Sequence, residues 1–286
     1  MNAITRPPVT LNSLRAVWIS DLHLGSKPCK ADYLLDFLNT VQCKKLYLVG
    51  DIIDLLALKR SFHWPAKHQQ IIERILAMAD AGTEVFYIPG NHDHAMRRLV
   101  TQTLSGVRVE HEMEHISADG RRLLLLHGDR FDNWIRFSPI KRWLGDAAYD
   151  FLLWLNWINF SAQRLLKRPY WSLAHAVKTR VGKARETIEQ YEQTVAQYAA
   201  ELGCDGVICG HIHKAELKKI AGTLYLNDGD WVESCTAIVE TQTGWFELLH
   251  GRIAASDCKA AKISSWQTAL HRPRVFVTAH RSGKLL

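Results

Sequence analysis

Asp21 and His23 stand two residues apart in Ser20-Asp21-Leu22-His23-Leu24, directly after the apolar run Ala16-Val17-Trp18-Ile19. In an extended segment, residues two apart project to the same side, so both side chains can converge on one ion. Alone, Asp-x-His is a weak signal, equally compatible with a polar turn behind a buried strand. Four later stretches repeat the pattern. Leu46-Tyr47-Leu48-Val49 runs into Gly50-Asp51, with Asp54 three residues on, and Val85-Phe86-Tyr87-Ile88 runs into Pro89-Gly90-Asn91-His92-Asp93. Leu123 to Leu126 runs into His127-Gly128-Asp129, and Val207-Ile208-Cys209 into Gly210-His211-Ile212-His213. The donors gathered this way are Asp21, His23, Asp51, Asn91, His127, His211 and His213. They mix hard carboxylate and amide oxygens with imidazoles and include no thiolate. Such a set suits Mn²⁺, Fe, Zn²⁺ or Mg²⁺ and excludes a structural zinc knuckle. Seven donors are too many for one small cation with an open position. They suit two ions sharing one bridging carboxylate.

The elements that must position them are legible as periodicities. Between the first strands, Tyr33 to Leu38 and Gln70 to Met78 carry apolar residues at helical spacing. Strands alternating with helices predict an α/β architecture whose strands are buried on both faces. In open α/β sheets, ligands bind beyond the carboxyl ends of the strands, so five polar strand ends can meet in one place. Thr223 to Asn227, Thr236 to Glu240 and Trp245 to Leu249 read as closing strands of the same domain.

A chain of 286 residues holds one large domain, or one domain with a substantial insertion. We expect a domain over 1–250 and a basic tail over 251–286, where seven Lys/Arg face a single Asp. Hydrophobic content of 47% and charged content of 23% describe an ordinary globular protein. The formal charge of +7 favours an anionic partner, whether a phosphorylated substrate, an acidic lipid surface or nucleic acid. Nucleic acid is the least favoured, because the basic residues form no recognisable nucleic-acid-binding motif. Six cysteines without Cys-x-x-Cys spacing, and an N-terminus unlike a signal peptide, predict reduced thiols in a cytoplasmic protein. No apolar stretch reaches membrane-spanning length.

The combined pattern Asp-x-His, Gly-Asp-x-x-Asp, Gly-Asn-His-Asp, His and Gly-His-x-His resembles the signature of the calcineurin-like metallophosphoesterases, matched at every element. The resemblance implies two mixed β-sheets packed as a sandwich and flanked by helices. It also implies two divalent ions, Mn²⁺ foremost with Fe or Zn²⁺ as alternatives. Carried over by position, Asp21, His23 and His213 would hold one ion, Asn91, His127 and His211 the other, and Asp51 would bridge them. Asp54 would lie behind the ligands, and Asp129 would orient His127. His92 would protonate the leaving oxygen or stabilise charge on the phosphoryl group, with Asp93 orienting it. His63, His68, His94, His111, His115, His175 and His250 lie outside the pattern and read as surface or internally satisfied residues, with His94 and His175 as candidates to border the site.

Between the fourth and fifth motifs the chain spends Arg130 to Cys204 on an excursion of helical character, expected as a lid over about 130–204. Its apolar runs include Phe151-Leu152-Leu153-Trp154-Leu155 and Trp157-Ile158, followed by Arg164, Lys167, Arg168, Tyr170 and Trp171. One reading is a helical hairpin packed on the sandwich. The other is an apolar lid with a basic rim, in which Arg164, Lys167, Arg168 and Trp171 bind substrate or dock on an anionic membrane surface. The insertion is similar to the lid of the UDP-2,3-diacylglucosamine diphosphatase family, peripheral membrane enzymes of lipid A biosynthesis. That resemblance implies hydrolysis of a pyrophosphate in an acylated sugar nucleotide, on the inner face of the membrane. His92 departs from it, since the family's diphosphatases carry Arg there. Expelling an alkoxide from a simple ester needs an acid, whereas a phosphate leaving group needs little proton donation. A general phosphodiesterase or phosphatase acting on nucleotides or other small phosphate esters is therefore the alternative. A non-catalytic metal-bound scaffold would lack a ligand or the His, and none is missing.

Overall fold

The computed structural model describes residues 11–133 and 182–251. Among these residues, twelve strands and four α-helices follow in chain order. They are β1 (Leu14–Ile19), α1 (Ala31–Thr40), β2 (Cys43–Val49), α2 (Leu55–Arg60), α3 (Ala66–Asp80), β3 (Glu84–Ile88), β4 (Thr103–Leu104), β5 (Val107–Val109), β6 (Met113–Ile116) and β7 (Arg122–Leu125). After them come α4 (Gly182–Glu201), β8 (Gly206–Cys209), β9 (Glu216–Ile220), β10 (Thr223–Asn227), β11 (Thr236–Thr241) and β12 (Phe246–His250). The helical spacings read from Tyr33 to Leu38 and from Gln70 to Met78 lie inside α1 and α3.

The strands form two mixed sheets. One has the order β12-β11-β1-β2-β3-β5-β4, the other β6-β7-β8-β10-β9. Pairs β1/β2, β2/β3, β7/β8 and β8/β10 are parallel, so the carboxyl ends of these strands emerge together. Alternation along each strand decides which layer a residue joins. In β1, Ala16 and Trp18 face the second sheet, while Val17 and Ile19 face α1 and α3. Because both faces are covered, these strands read as unbroken apolar runs rather than alternating ones. Trp18 stacks on its register partner Tyr47, and Tyr47 on Phe86, with centroids 5.2 and 5.0 Å apart. The inner layer closes against Leu123, Leu125, Ile208, Leu224 and Leu226 of the second sheet. Helix α4 covers that sheet's outer face, placing Tyr191, Val195 and Ala199 against Val207, Cys209 and Tyr225.

Two histidines outside the motifs are satisfied in the core, as expected. His115 bridges the Tyr47 hydroxyl at 2.9 Å and Glu240 Oε2 at 2.7 Å, joining β6 to β2 and β11. His68 of α3 is 2% exposed and its Nδ1 accepts the backbone N–H of Gly25 at 2.9 Å. Burial, reinforced by the charge of His63, pulls the His68 pKa down to about 4. A folded imidazole that resists protonation contributes nothing above the unfolded value of about 6.5, and destabilises as pH falls from there toward 4. We expect His68→Asn, which keeps an acceptor but does not titrate, to lessen the loss of unfolding free energy between pH 7 and pH 5. Denaturant midpoints at the two pH values check this, and equal losses in parent and variant contradict it.

Of the excursion expected over 130–204, the described part is a short 3-10 turn, Asp129–Asn133, and α4. Arg164, Lys167, Arg168 and Trp171 lie outside the described residues, as do His175, Cys258 and the tail from 252. Among the described residues, five cysteines are free thiols and no helix is long and apolar enough to cross a membrane.

Candidate metal centre

The loops that leave the parallel strands bring the donors together at one edge of the sandwich. Backbone hydrogen bonds continue the β1/β2 pairing past the strand ends: Asp21 donates to the Gly50 carbonyl and His23 to that of Asp51, both at 2.9 Å. This forces a sharp local turn. Asp21, His23, Asp51, His211 and His213 all adopt left-handed backbone, with φ of +53°, +49°, +54°, +71° and +52°. Non-glycine residues hold such angles at a cost of about 1–3 kcal/mol each, and they cluster where function over-determines the backbone. Two glycines permit the close approach. A Cβ on Gly50, itself at φ +87°, would collide with the His127 ring, and one on Gly90 with the Asp51 carboxylate.

The donor atoms form overlapping groups. Asp21, His23 and His213 present one atom each within 4.8 Å of one another, and so do Asp21, Asp51 and His127. Asp21 Oδ1 lies 3.0 Å from His213 Nε2 and 3.8 Å from His23 Nε2. Asp51 Oδ2 lies 3.4 Å from His127 Nε2 and 4.0 Å from His23 Nε2, so one oxygen faces both groups. Asn91 Oδ1 is 3.3 Å from His127 Nε2. His211 sits beside His127, ring centroids 5.1 Å apart, but its Nε2 meets Asp132 Oδ1 at 2.8 Å.

Tautomers are set from behind the ligands. His127 Nδ1 donates to the Val49 carbonyl at 2.9 Å and His23 Nδ1 to Asp54 Oδ2 at 3.1 Å, so both aim Nε2 at the cluster. The electrostatics match. Burial disfavours the charge on His23, yet its hydrogen bond to Asp54 and the charges of Asp51 and Asp21 raise its pKa to about 9. His127 is likewise raised, burial being outweighed by Asp51. Burial also disfavours the Asp21 and Asp51 charges, but His213 holds the first, and His127 the second, below the ordinary carboxylate range. A buried cluster that draws protons onto its histidines has the negative potential a cation would neutralise. The chain fits divalent ions on a further count: among the described residues, Asp21 Oδ1 and His23 Nε2 are buried without a hydrogen bond. Ligands about 2.0–2.2 Å from a common ion lie about 3–3.5 Å apart, close to the spacings here.

The catalytic pair expected from sequence is corrected. Asp93 does not orient His92. Its carboxylate instead accepts the Tyr87 hydroxyl at 2.5 Å and the backbone N–H groups of Ile52 and Gly90 at 2.8 and 2.6 Å. Neighbouring residues in a turn diverge, and Asp93 is directed into the loop that carries Asn91. The partner of His92 is Asp54, whose Oδ1 takes the Nδ1 proton at 3.0 Å while Oδ2 serves His23. Asp54 also caps α2 through the Ala57 N–H, which fixes the carboxylate. Asp129 does not orient His127 either. It accepts both its bonds from Arg97 Nη2, at 2.7 and 2.8 Å. Arg97, Asp129, His111 and Arg130 line a cavity of about 210 Å³ beside His127. Sequence reasoning missed Asp132, and it missed Ser20 and Asp228, which stand behind Asp21. The polar cluster Asn227-Asp228-Gly229-Asp230 after β10 repeats the strand-end pattern and was the available signal.

Comparison with known proteins places this geometry in context. The sequence model of the family described as "Calcineurin-like phosphoesterase" matches residues 14–215. A UDP-2,3-diacylglucosamine hydrolase from Xanthomonas campestris pv. campestris (strain B100) is 31% identical over 240 residues, covering 77% of this chain and 92% of that one. Another, from Pseudomonas putida (strain W619), is 27% identical over 207 residues, covering 71% and 83%. Among solved structures, the phosphoesterase Yfce from E. coli matches with a TM-score of 0.43 at 14% identity, over 83% of this chain and 93% of that one.

Proposed function

The chain belongs to the calcineurin-like phosphoesterase family and is a phosphoester hydrolase that uses divalent metal ions, and on that premise we propose a dinuclear enzyme acting on an acylated sugar nucleotide of the UDP-2,3-diacylglucosamine class. The observation that carries the dinuclear reading is Asp51 Oδ2, which faces His127 on one side and His23 on the other. Asp21, His23 and His213 would hold one ion, Asn91, His127 and His211 the second, with Asp51 between them. Mn²⁺ is the ion we propose, and Fe or Zn²⁺ would be accepted by the same donors. Ions held there would acidify a water and polarise the phosphoryl oxygens.

The chain's own residues do the rest. Asp54 holds the Nδ1 proton of His92, so Nε2 is the atom that delivers a proton to the departing oxygen. The Asp54 carboxylate supports the imidazolium before transfer. Because Asp54 also binds His23 Nδ1, the proton donor and a ligand are held by one carboxylate, itself pinned at the start of α2. The His92 backbone N–H on Asp51 Oδ1 at 2.8 Å ties the loop to the bridging residue.

The two UDP-2,3-diacylglucosamine hydrolases named above support the lipid nucleotide as substrate; a place in lipid A biosynthesis and peripheral contact with the inner membrane face rest on the resemblance of the insertion alone. His92 itself favours a second reading, a phosphodiesterase or phosphatase for small esters whose leaving oxygen needs a proton. Hydrolysis of UDP-2,3-diacylglucosamine and bis-p-nitrophenyl phosphate by the chelator-stripped protein, before and after Mn²⁺, tests both. We expect no turnover before Mn²⁺ and cleavage of the lipid nucleotide after it. Cleavage of the aryl ester alone would favour the second reading, and metal-independent cleavage would remove both.

A further inference from the structure

Behind Asp21 lies a buried pair that no step above uses. Ser20 and Asp228 are 1% and 0% exposed. Ser20 Oγ stands 2.5 Å from Asp21 Oδ2, 2.7 Å from Asp228 Oδ1 and 3.3 Å from the Gly229 carbonyl. A serine hydroxyl has one proton and two lone pairs, so it can donate to only one of these oxygens. The other short contact needs a proton from the opposite side.

Asp21 is not the source. Its Oδ2 already accepts the His211 backbone N–H at 2.9 Å, and its Oδ1 faces His213 Nε2 at 3.0 Å. Both contacts suit an anion. Asp228 is differently placed. Its Oδ2 is buried with no hydrogen-bond partner among the described residues, and a charged oxygen so exposed to low dielectric is strongly disfavoured. Burial, only partly offset by Ser20 and reinforced by the Asp21 charge, pushes the Asp228 pKa well above the usual range. The fold has paid attention to the backbone too: the Asp228 carbonyl accepts Thr236 Oγ1 at 2.7 Å and Asn227 Oδ1 accepts the Gly229 N–H at 3.0 Å, which hold the turn in place.

We propose that Asp228 is a neutral, protonated positioning residue. Its Oδ1–H donates to Ser20 Oγ, Ser20 Oγ–H donates to Asp21 Oδ2, and this chain leaves Asp21 Oδ1 aimed at the ion shared with His23 and His213. A neutral Asp228 supplies orientation without adding a further negative charge to a cluster that already holds Asp21, Asp51 and Asp54. The assignment rests on the metal reading given above. It differs from an ordinary ion-pair role in one respect: the carboxyl acts as a donor, so an amide can replace it.

The test is Mn²⁺ binding by titration calorimetry to the parent protein, Asp228→Asn, Asp228→Ala and Ser20→Ala, with thermal melts of the metal-free forms as a folding control. Removing a partner behind a ligand commonly weakens metal affinity about 10–100-fold. We expect Asp228→Asn, whose amide N–H replaces the acid proton, to stay within about threefold of the parent, and Asp228→Ala and Ser20→Ala to weaken binding tenfold or more. If Asp228→Ala does not fold, Ser20→Ala against Asp228→Asn carries the same contrast. Asp228→Asn as weak as the alanine variants, or alanine variants as tight as the parent, would overturn the assignment while leaving the metal reading intact. Failure of the parent itself to bind Mn²⁺ would overturn both.

Discussion

Asp51→Asn is expected to abolish turnover, by about 10³-fold or more, because one oxygen of this residue faces His127 on one side and His23 on the other. The substitution keeps volume and removes charge. It also creates a conflict of hydrogen bonding. Asp51 Oδ1 accepts the His92 backbone N–H at 2.8 Å, so an amide must keep its oxygen there and turn its NH₂ toward His127 and His23. A donor would then face nitrogens that must themselves accept a cation. We expect Mn²⁺ affinity to fall along with turnover, and the metal-free protein to remain folded. Steady-state hydrolysis at saturating Mn²⁺ checks the first point. An Asp51→Asn protein with a tenth or more of the parent rate would mean that Asp51 is not a bridge.

The second large effect concerns His92. Removing a positioned proton donor commonly reduces rates about 10²–10⁴-fold, and the loss grows as the leaving group becomes more basic. We expect His92→Gln to lose about that much with alkyl phosphodiesters, and far less where phosphate departs from a pyrophosphate. His92→Arg supplies charge but no transferable proton, so it should spare pyrophosphate cleavage and not alkyl ester cleavage. Asp54→Asn should follow the same leaving-group trend, since the Asp54 carboxylate holds His92 Nδ1 at 3.0 Å. It should also weaken metal binding through His23, which His92→Gln should not. Rates for a series of esters of graded leaving-group basicity distinguish these outcomes. A loss that is uniform across the series would contradict the proton-donor role.

The strand ends were legible because parallel strands buried on both faces read as apolar runs, and the chemistry follows directly after each run. Asp21, His23, Asp51, His127 and His213 were found this way, and their donor atoms gather in two groups, each within 4.8 Å. Partners behind them were not legible, because they depend on turns of left-handed backbone that redirect side chains. Asp93 follows His92 in sequence and was expected to touch it, yet the turn sends Asp93 to Tyr87 and brings in Asp54 from 38 positions away. Ser20 and Asp228 meet across 208 positions, a distance that no local pattern encodes. The edge strand β9, Glu216-Leu217-Lys218-Lys219-Ile220, was missed for another reason. Its lysines give it the polar look of a loop, although Lys218 pairs with the buried Glu192 of α4 at 2.5 Å. Edge strands carry such charges because one side faces solvent.

The most direct measurement of the central claim is the number of ions bound per chain against activity. The chelator-stripped protein would be titrated with Mn²⁺, following bound metal by elemental analysis and hydrolysis in the same samples. No activity is expected without metal, binding should saturate at two ions per chain, and activity should be full only when the second site fills. In Asp51→Asn, occupancy of both sites should be lost together with turnover. Full activity with one ion per chain, or with none, would contradict that claim.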